Sequence, residues 1–385
     1  MTALESTATR ATRTAGADYA VAVAAIAGYI IVALRQSILP AKFFFDGDRI
    51  QAIAQGTDSS LGDKAFGNVA WVYAQLNLGG HPLVAGLVGY SAFLLIVLVV
   101  WARIRRDNPG FATVFVAGAC IIFGAVNLGY YSKDVCVLPI VAAVLFLPKR
   151  WWADVVVIAL MLGYAAWFRS YWLPVAVVYA TYRLLRVQRR SLGFIALSIA
   201  VAVIALGLAI FVVYGTAPDI YRSTVNDTRT LDPNAQSLIS PVLTFDEPWS
   251  GLLNNVITAF FLLVPLPLLF SGGGLYYVAI TLVVTGIWGV TYVAIGRLHR
   301  LDVSTVSAPM LIRAARASSL LLAFLCVQAL FEPDYGSAVR HVTPLLPAAL
   351  AVCGLALRRP GDSSAAVPSD QRAPHVEIRT ATTEA

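Results

Sequence analysis

Charged residues are what this sequence has least of. They make up 13% of the 385 residues, whereas a soluble domain carries about a quarter. A chain of this length with so little charge cannot cover itself with a polar surface. The hydrophobic fraction is correspondingly high at 58%, and the mean hydropathy is +0.74. The composition therefore predicts an integral membrane protein, almost none of which would be stable as a water-soluble domain.

Cysteine is also scarce, and its placement excludes two kinds of site. The four cysteines are Cys120, Cys136, Cys326 and Cys353. All lie in apolar runs without CxxC or Cys/His spacing, so they predict neither a disulfide framework nor a zinc site. A P-loop, GxGxxG, HExxH or GxSxG context is missing too, which argues against an ATP-driven or soluble-type catalytic domain. The sequence therefore indicates no cofactor and no metal ligands, although it is compatible with a divalent metal ion.

The net charge of +7 does not indicate a nucleic-acid partner. The basic residues form short clusters between apolar segments, which is the pattern that orients membrane helices. Residues 1–18 are polar and predict a cytoplasmic tail. The apolar run Tyr19–Leu34 lacks a cleavage site after it, so it is expected to stay as the first spanning helix. Residues 358–385 are rich in Pro, Ser, Ala and charge and predict a disordered cytoplasmic tail.

Between these tails, residues 19–357 predict an all-α transmembrane bundle. A spanning helix needs about 20 predominantly apolar residues. The clear candidates are 19–38, 83–102, 110–129, 153–172, 193–214, 275–296, 317–332 and 341–357, with shorter runs at 135–148 and 173–185. No internal repeat is visible, which weakens an inverted-repeat transporter interpretation.

The distribution of arginine predicts the orientation of the bundle. Basic clusters follow alternate helices, whereas the connections 39–65 and 215–250 carry more acidic than basic residues and should face outward. Residues 251–271 disturb this alternation if they cross the membrane. Pro265 and Pro267 interrupt their helical pattern, so a re-entrant or interfacial segment is predicted. This predicts about ten crossings, short outer loops and two cytoplasmic termini.

Two polar segments on the predicted outer face carry acidic and basic residues together. In FFFDGDRI, Asp46 and Asp48 beside Arg49 suit a general base or a site for a cation or sugar hydroxyls. The alternative is a solvated loop with a local ion pair. In GYYSKD, Lys133 suits a diphosphate that Asp134 helps to orient. The alternative is a neutralised connection between two helices.

Two further segments place charge at the same predicted face. Arg169, in WFRSYW, is a cation on the outer side, so it requires an anionic partner, either a protein carboxylate or a ligand phosphate. In FEPDYGSAVRHVTPLLP, four ionisable residues occupy ten positions at a membrane boundary: Glu332, Asp334, Arg340 and His341. The start of the last helix there also favours an anion. We expect these outer-face charges to converge on one outward-opening cavity.

The short motifs DGD, SKD, RSYW and GSxxRH, at 46–48, 132–134, 169–172 and 336–341, resemble those of bacterial membrane glycosyltransferases of the GT-C-like, polysaccharide-polymerase kind, including the Wzy and EpsG groups. The resemblance implies a lipid-linked sugar donor and an outward active site. Its candidate catalytic bases are Asp46 and Asp48. Its candidate substrate-binding residues are Arg49, Lys133, Asp134, Arg169, Tyr171, Arg340 and His341. The outer loop is smaller than in O-antigen polymerases and ligases, so polymerase and single-sugar transferase both stay open.

The expected function is therefore glycosyl transfer from a polyprenyl-(di)phosphate-linked sugar to a glycan acceptor, at the outer face of a bacterial cell membrane. Such a protein would serve cell-envelope or exopolysaccharide synthesis. One alternative is a transporter or flippase of lipid-linked glycans, which would place its charges near the bilayer midplane. Another is a non-catalytic subunit of an envelope-assembly complex. Expected partners are the lipid-linked donor, the glycan acceptor, membrane lipid and envelope-assembly proteins.

Overall fold

The computed structural model describes residues 2–58, 64–105, 109–229, 237–272, 274–301 and 307–357. These residues are all-helical apart from one isolated β-bridge between Leu238 and Asp334, which confirms the predicted all-α class. The α-helices are α1 (Thr2–Ala33), α2 (Arg35–Ile38), α3 (Phe45–Ala54), α4 (Lys64–Gln75), α5 (Pro82–Ile104), α6 (Phe111–Leu128), α7 (Leu138–Phe146), α8 (Trp151–Trp167), α9 (Trp172–Leu185), α10 (Leu192–Tyr214), α11 (Ile220–Arg229), α12 (Trp249–Leu263), α13 (Gly274–Arg297), α14 (Ala308–Phe331), α15 (Tyr335–Val342) and α16 (Leu346–Ala356). The predicted tail 358–385 lies outside the described residues.

Seven helical segments within the described residues are long and apolar enough to cross a membrane. They are Thr14–Ala33, Pro82–Ile104, Phe111–Leu128, Leu192–Tyr214, Gly274–Arg300, Ala308–Phe331 and Tyr335–Ala356. The fold is thus that of a multi-pass helical membrane protein. The predicted spans at 135–148, 153–172 and 173–185 correspond to the shorter helices α7, α8 and α9.

Basic residues gather at one end of the bundle, which we call the basic end. Asp154, at the start of α8, pairs with Arg183 near the end of α9 and with Arg316 near the start of α14, each at 3.1 Å. The Arg316 side chain is 1% exposed and also donates to three carbonyl oxygens within residues 147–150. These bonds satisfy a buried charge and tie three helix ends together.

The opposite end, which we call the site end, holds the segment between α1 and α5. Its helices α3 and α4 form a second small core with the residues that follow α6. Ile50 of α3, Phe66 of α4 and Tyr130 after α6 belong to this core. Gly47 makes this packing possible, since a Cβ there would lie 2.1 Å from the Tyr130 ring. The residues around DGD are thereby held against those around SKD.

The segment from α12 to the start of α13 enters the bundle at the site end and returns to it. Arg222 donates to Asn255 and Thr258 of α12 and to the Ala329 carbonyl near the end of α14. The start of α13 returns to the same end, where the Lys42 Nζ lies 5.2 Å from the Tyr276 ring centroid. A 3₁₀ turn at Leu266–Phe270 follows the proline that interrupts α12. Residues 251–271, which were predicted to be re-entrant, thus begin and end at the same end of the bundle.

Candidate functional site: a charged cluster at the end of the bundle

The SKD segment is built by the close approach of α5 and α6. A Cβ on Gly86 of α5 would lie 2.1 Å from the carbonyl oxygen of Gly129, the residue directly after α6, so position 86 needs glycine. Beyond them the Tyr73 hydroxyl accepts from the Ser132 amide, and the Ser132 hydroxyl accepts from the Asp134 amide. This caps the 3₁₀ turn Lys133–Val137 and turns two charged side chains into the protein.

Asp46 is the point where three distant segments meet. Its Oδ2 lies 2.9 Å from Nη1 of Arg340 and 3.6 Å from Nζ of Lys133. The Asp46 and Arg340 side chains are 34% and 31% exposed, whereas that of Lys133 is 9% exposed. The cluster is therefore reached from the surface past Asp46 and Arg340.

Asp134 and Arg169 form the buried floor of the cluster. Asp134 Oδ1 lies 3.5 Å from Arg169 Nη1, and its Oδ2 lies 3.8 Å from Arg340 Nε. Arg169 Nη1 also donates to the Tyr171 hydroxyl at 2.7 Å. The Tyr171 ring is stacked on Phe331, which fixes the hydroxyl beside Arg169. Asp134 therefore joins the arginine of the RSYW motif to that of the last hairpin.

The cluster carries more positive than negative charge. Lys133, Arg169 and Arg340 are cations, and among the described residues Asp46 and Asp134 are their carboxylate partners. The Nε of Arg340 is buried without a hydrogen-bond partner, because 3.8 Å to Asp134 is too long for one. A net positive, incompletely bonded cluster at a membrane boundary favours an anionic ligand.

Two of these groups have shifted pKa values. Burial lowers the pKa of Lys133 to about 8, although the attraction of Asp46 opposes this. Burial alone would raise the pKa of Asp46, but Arg340 and Lys133 outweigh it and hold the pKa below its usual value. Asp46 is therefore ionised at neutral pH, whereas Lys133 loses its charge near pH 8.

His341 joins Arg340 to a buried acid that lies behind it. The Nη2 of Arg340 faces His341 Nε2 at 3.4 Å, and His341 Nδ1 faces Glu332 Oε1. Arginine only donates, so Nε2 accepts and a neutral imidazole carries its proton on Nδ1, which donates to Glu332. Burial raises the pKa of Glu332 to about 8, and its Oε2 is buried without a partner. Glu332 is thus mostly neutral at pH 7 and adds little negative charge.

Comparison with protein-family models, curated proteins and solved structures found no match to this chain.

Two predicted site residues lie apart from the ion pairs. Asp48 Oδ1 accepts from the Tyr130 hydroxyl at 2.7 Å, on the face of α3 that packs against the bundle. The Arg49 guanidinium lies over the Phe66 ring, and the Lys133 Nζ lies 3.4 Å from the centroid of the same ring. Arg49 therefore borders the cluster, whereas Asp48 belongs to a structural contact.

Other candidate charges have local roles in the structure. Asp334 caps α15 by accepting from the Ser337 amide and hydroxyl, and it also pairs with Arg229. In the part of the chain that the structure describes, no group of three His, Cys, Asp or Glu side chains could hold a metal ion.

Sequence reasoning missed three residues near the cluster, one that borders it and two that hold the neighbouring helix α3. Phe66 supplies the ring under Lys133. Tyr130 holds Asp48, and Arg35 lies 5.2 Å over the Tyr130 ring while donating to two carbonyl oxygens. The tyrosine pair before SKD was a visible signal, since buried tyrosines need hydroxyl partners. Phe66 gave no local signal, because its partner is distant in sequence.

Proposed function

We propose that this protein is a GT-C-like membrane glycosyltransferase or polysaccharide polymerase that uses polyprenyl-(di)phosphate-linked sugars for cell-envelope or exopolysaccharide synthesis. One observation carries the proposal. Lys133, Arg169 and Arg340 converge on only two carboxylates at one end of a membrane bundle. A phosphate at a membrane surface is the ligand that such a cation excess suits best.

The topology that we propose places this cluster at the extracytoplasmic face of a bacterial plasma membrane. Helices α1, α5 to α10, α13, α14 and the α15–α16 pair would make about ten crossings, and α12 would re-enter. The arginines at the basic end support a cytoplasmic position for that end by the positive-inside rule. Both termini would then be cytoplasmic.

In the proposed reaction, an acceptor hydroxyl oxygen attacks the anomeric carbon of the donor sugar. The bond from that carbon to the phosphate oxygen breaks, and its electron pair stays on the phosphate. Lys133, Arg169 and Arg340 would hold the departing phosphate. The N–H of Arg340 Nε has no partner in the structure and would donate a hydrogen bond to it. The acceptor proton would pass to Asp46, the only carboxylate of the cluster with a third of its side chain exposed.

The ion pairs of Asp46 couple ligand binding to this role. Arg340 and Lys133 keep its pKa low in the empty site, which makes it a weak base. A phosphate that draws both cations toward itself removes part of that stabilisation. Asp46 would therefore become more basic when the donor is bound. The position of the charges at a helix end also favours an enzyme over a transporter with a midplane site.

The test is binding of polyprenyl monophosphate to the protein in nanodiscs, with polyprenol as the uncharged control ligand. We expect the phosphate form to bind and polyprenol to bind at least tenfold more weakly, because charge-assisted bonds contribute about 1.5–3 kcal/mol each. Arg340→Ala should lose about tenfold or more in affinity.

Arg229→Ala is the matched control, because Arg229 lies at the same end and pairs with a capping carboxylate outside the cluster. It should bind as the wild type does. Equal affinities for phosphate and alcohol, or equal losses in both variants, would contradict a phosphate site at the cluster.

A further inference from the structure

A second basic pocket lies at the basic end of the bundle, opposite the charged cluster. It is formed between α5, α7, α14 and α16. The lining residues are Val100, Arg103, Ile104, Leu145, Met310, Arg313, Ala314, Ala351 and Leu355. Two arginines thus share a pocket whose other walls are apolar.

Neither arginine is paired with a carboxylate in the described part of the chain, unlike three other arginines at this end. At the same end, Arg105, Arg183 and Arg316 each pair with an aspartate. Among the described residues, Arg103 and Arg313 form no ion pair. Arg103 donates a long bond of 3.4 Å to the Leu145 carbonyl and lies 4.8 Å from the Phe146 ring centroid, and the Arg313 Nε is buried without a hydrogen-bond partner.

Because both arginines line the same pocket, their like charges repel each other. The described residues of the pocket lining include no carboxylate, so an anion between the two arginines would offset the repulsion and accept a hydrogen bond from the buried Arg313 Nε. Guanidinium groups are well suited to phosphate because their N–H groups match its oxygens in pairs. The ligand head should therefore be a phosphate.

The rest of the pocket indicates what that phosphate is attached to. Both arginines lie at the terminal turns of apolar helices long enough to span a membrane. Val100, Leu145 and Leu355 add aliphatic surface to the pocket. A free phosphate would leave this surface unused, whereas an acyl chain would cover it.

We propose that this pocket binds an anionic phospholipid, with its phosphate between Arg103 and Arg313 and its acyl chain along the apolar wall. Basic pockets between membrane helices are a known setting for such headgroups. The lipid would bind at the end opposite the charged cluster, so this site is independent of the proposed glycosyl transfer.

The experiment is native mass spectrometry of the full chain in detergent with phosphatidylglycerol or phosphatidylcholine added. The wild type should retain phosphatidylglycerol in preference to phosphatidylcholine. The double variant Arg103→Gln/Arg313→Gln should lose about tenfold or more of that binding. The control Arg189→Gln/Arg190→Gln removes the same charge from exposed positions at the same end and should retain it.

A further variant tests the pocket without removing a charge, in case the double variant folds poorly. Ala351→Phe fills the apolar wall and should also reduce phosphatidylglycerol binding severalfold. Inorganic phosphate at millimolar concentration should not displace the lipid, and displacement would assign the site to soluble phosphate instead. Unchanged lipid binding in Ala351→Phe, or an equal loss in the surface control, would overturn the proposal.

Discussion

Asp46 and Asp48 lie two residues apart on α3, but the structure surrounds them differently. Asp46 is paired with Arg340 and Lys133, and Asp48 accepts from Tyr130. The resemblance left both as candidate bases, because two positions on a loop cannot be told apart by sequence. Once the segment is a helix, the pair points about 200° apart around its axis, and only Asp46 lies in the cluster.

We therefore expect Asp46→Asn to lose turnover by about 10²-fold or more while the donor still binds. Asp48→Asn keeps a side-chain oxygen that accepts from Tyr130, so it should retain most of the turnover. The measurement is glycolipid or polymer formed per folded protein, alongside donor affinity in nanodiscs. Full activity in Asp46→Asn with loss in Asp48→Asn would reverse the assignment.

The pH dependence of phosphate binding follows from two residues of the site. Lys133 has a pKa lowered to about 8 and Glu332 a pKa raised to about 8, in both cases mainly by burial. Above pH 8 Lys133 loses a positive charge and Glu332 gains a negative one. Both changes make the site more negative, so affinity for polyprenyl monophosphate should fall as pH rises through about 8.

Variants separate the two contributions to this pH dependence. Lys133→Met should bind more weakly at pH 7 and show a smaller decline. Glu332→Gln should bind normally at pH 7, since Glu332 is mostly neutral there, and should also decline less. The same affinities at pH 7 and pH 9.5 in the wild type would count against a buried Lys133 in the phosphate site.

At the scale of the helix, glycine decides how closely α3 approaches the rest of the bundle. A Cβ on Gly47 would lie 2.1 Å from the Tyr130 ring. Gly47→Ala should therefore destabilise the protein by about 1–3 kcal/mol through overpacking, and weaken polyprenyl monophosphate binding because Asp46 is displaced. Gly67 in α4 has open space for a Cβ, so Gly67→Ala should be neutral or slightly stabilising. Thermal unfolding in detergent compares the two, and equal midpoints would show that the close approach is unimportant.

Helices were predictable from the sequence where the pattern that defines them lies within the helix itself. Long apolar runs predicted α5, α6 and α10 nearly to their ends, because membrane-spanning length is read directly from composition. The first span was expected to reach residue 38, but α1 ends at Ala33 and Arg35 opens the separate helix α2. The span predicted at 317–332 begins earlier, at Ala308, because Arg313 and Arg316 are accommodated at the end of the bundle.

The sequence predicted which residues belong to the site, but it did not predict which of them form ion pairs with each other. Charges at helix ends marked Asp46, Lys133, Arg169 and Arg340, because charge there is costly unless it is used. Their partners depend on which helices are neighbours, and more than 200 residues of chain separate Lys133 from Arg340. Asp134 serving two arginines is such a long-range result.

For the whole molecule, the alternation of helix ends predicts which positions share a face. Ser223 and Ser271 lie at the site end, and Ser191 lies at the basic end before α10. In single-cysteine variants, a membrane-impermeant thiol reagent applied from outside should label Ser223→Cys and Ser271→Cys but not Ser191→Cys. Labelling of Ser223→Cys without Ser271→Cys would show that residues 251–271 cross the membrane. Labelling of Ser191→Cys alone would show that the protein has the opposite orientation in the membrane.

We propose that the protein transfers a sugar from a polyprenyl-linked donor by means of the charged cluster. The most direct test of this proposal is mass spectrometry of lipid-linked and surface glycans in a strain from which the gene is deleted. We predict accumulation of a polyprenyl-(di)phosphate-linked sugar and loss of a surface glycan. The wild-type protein and Asp48→Asn should restore the glycan, whereas Asp46→Asn, present at the same level in the membrane, should not. Unchanged glycans in the deletion strain, or full restoration by Asp46→Asn, would contradict the account.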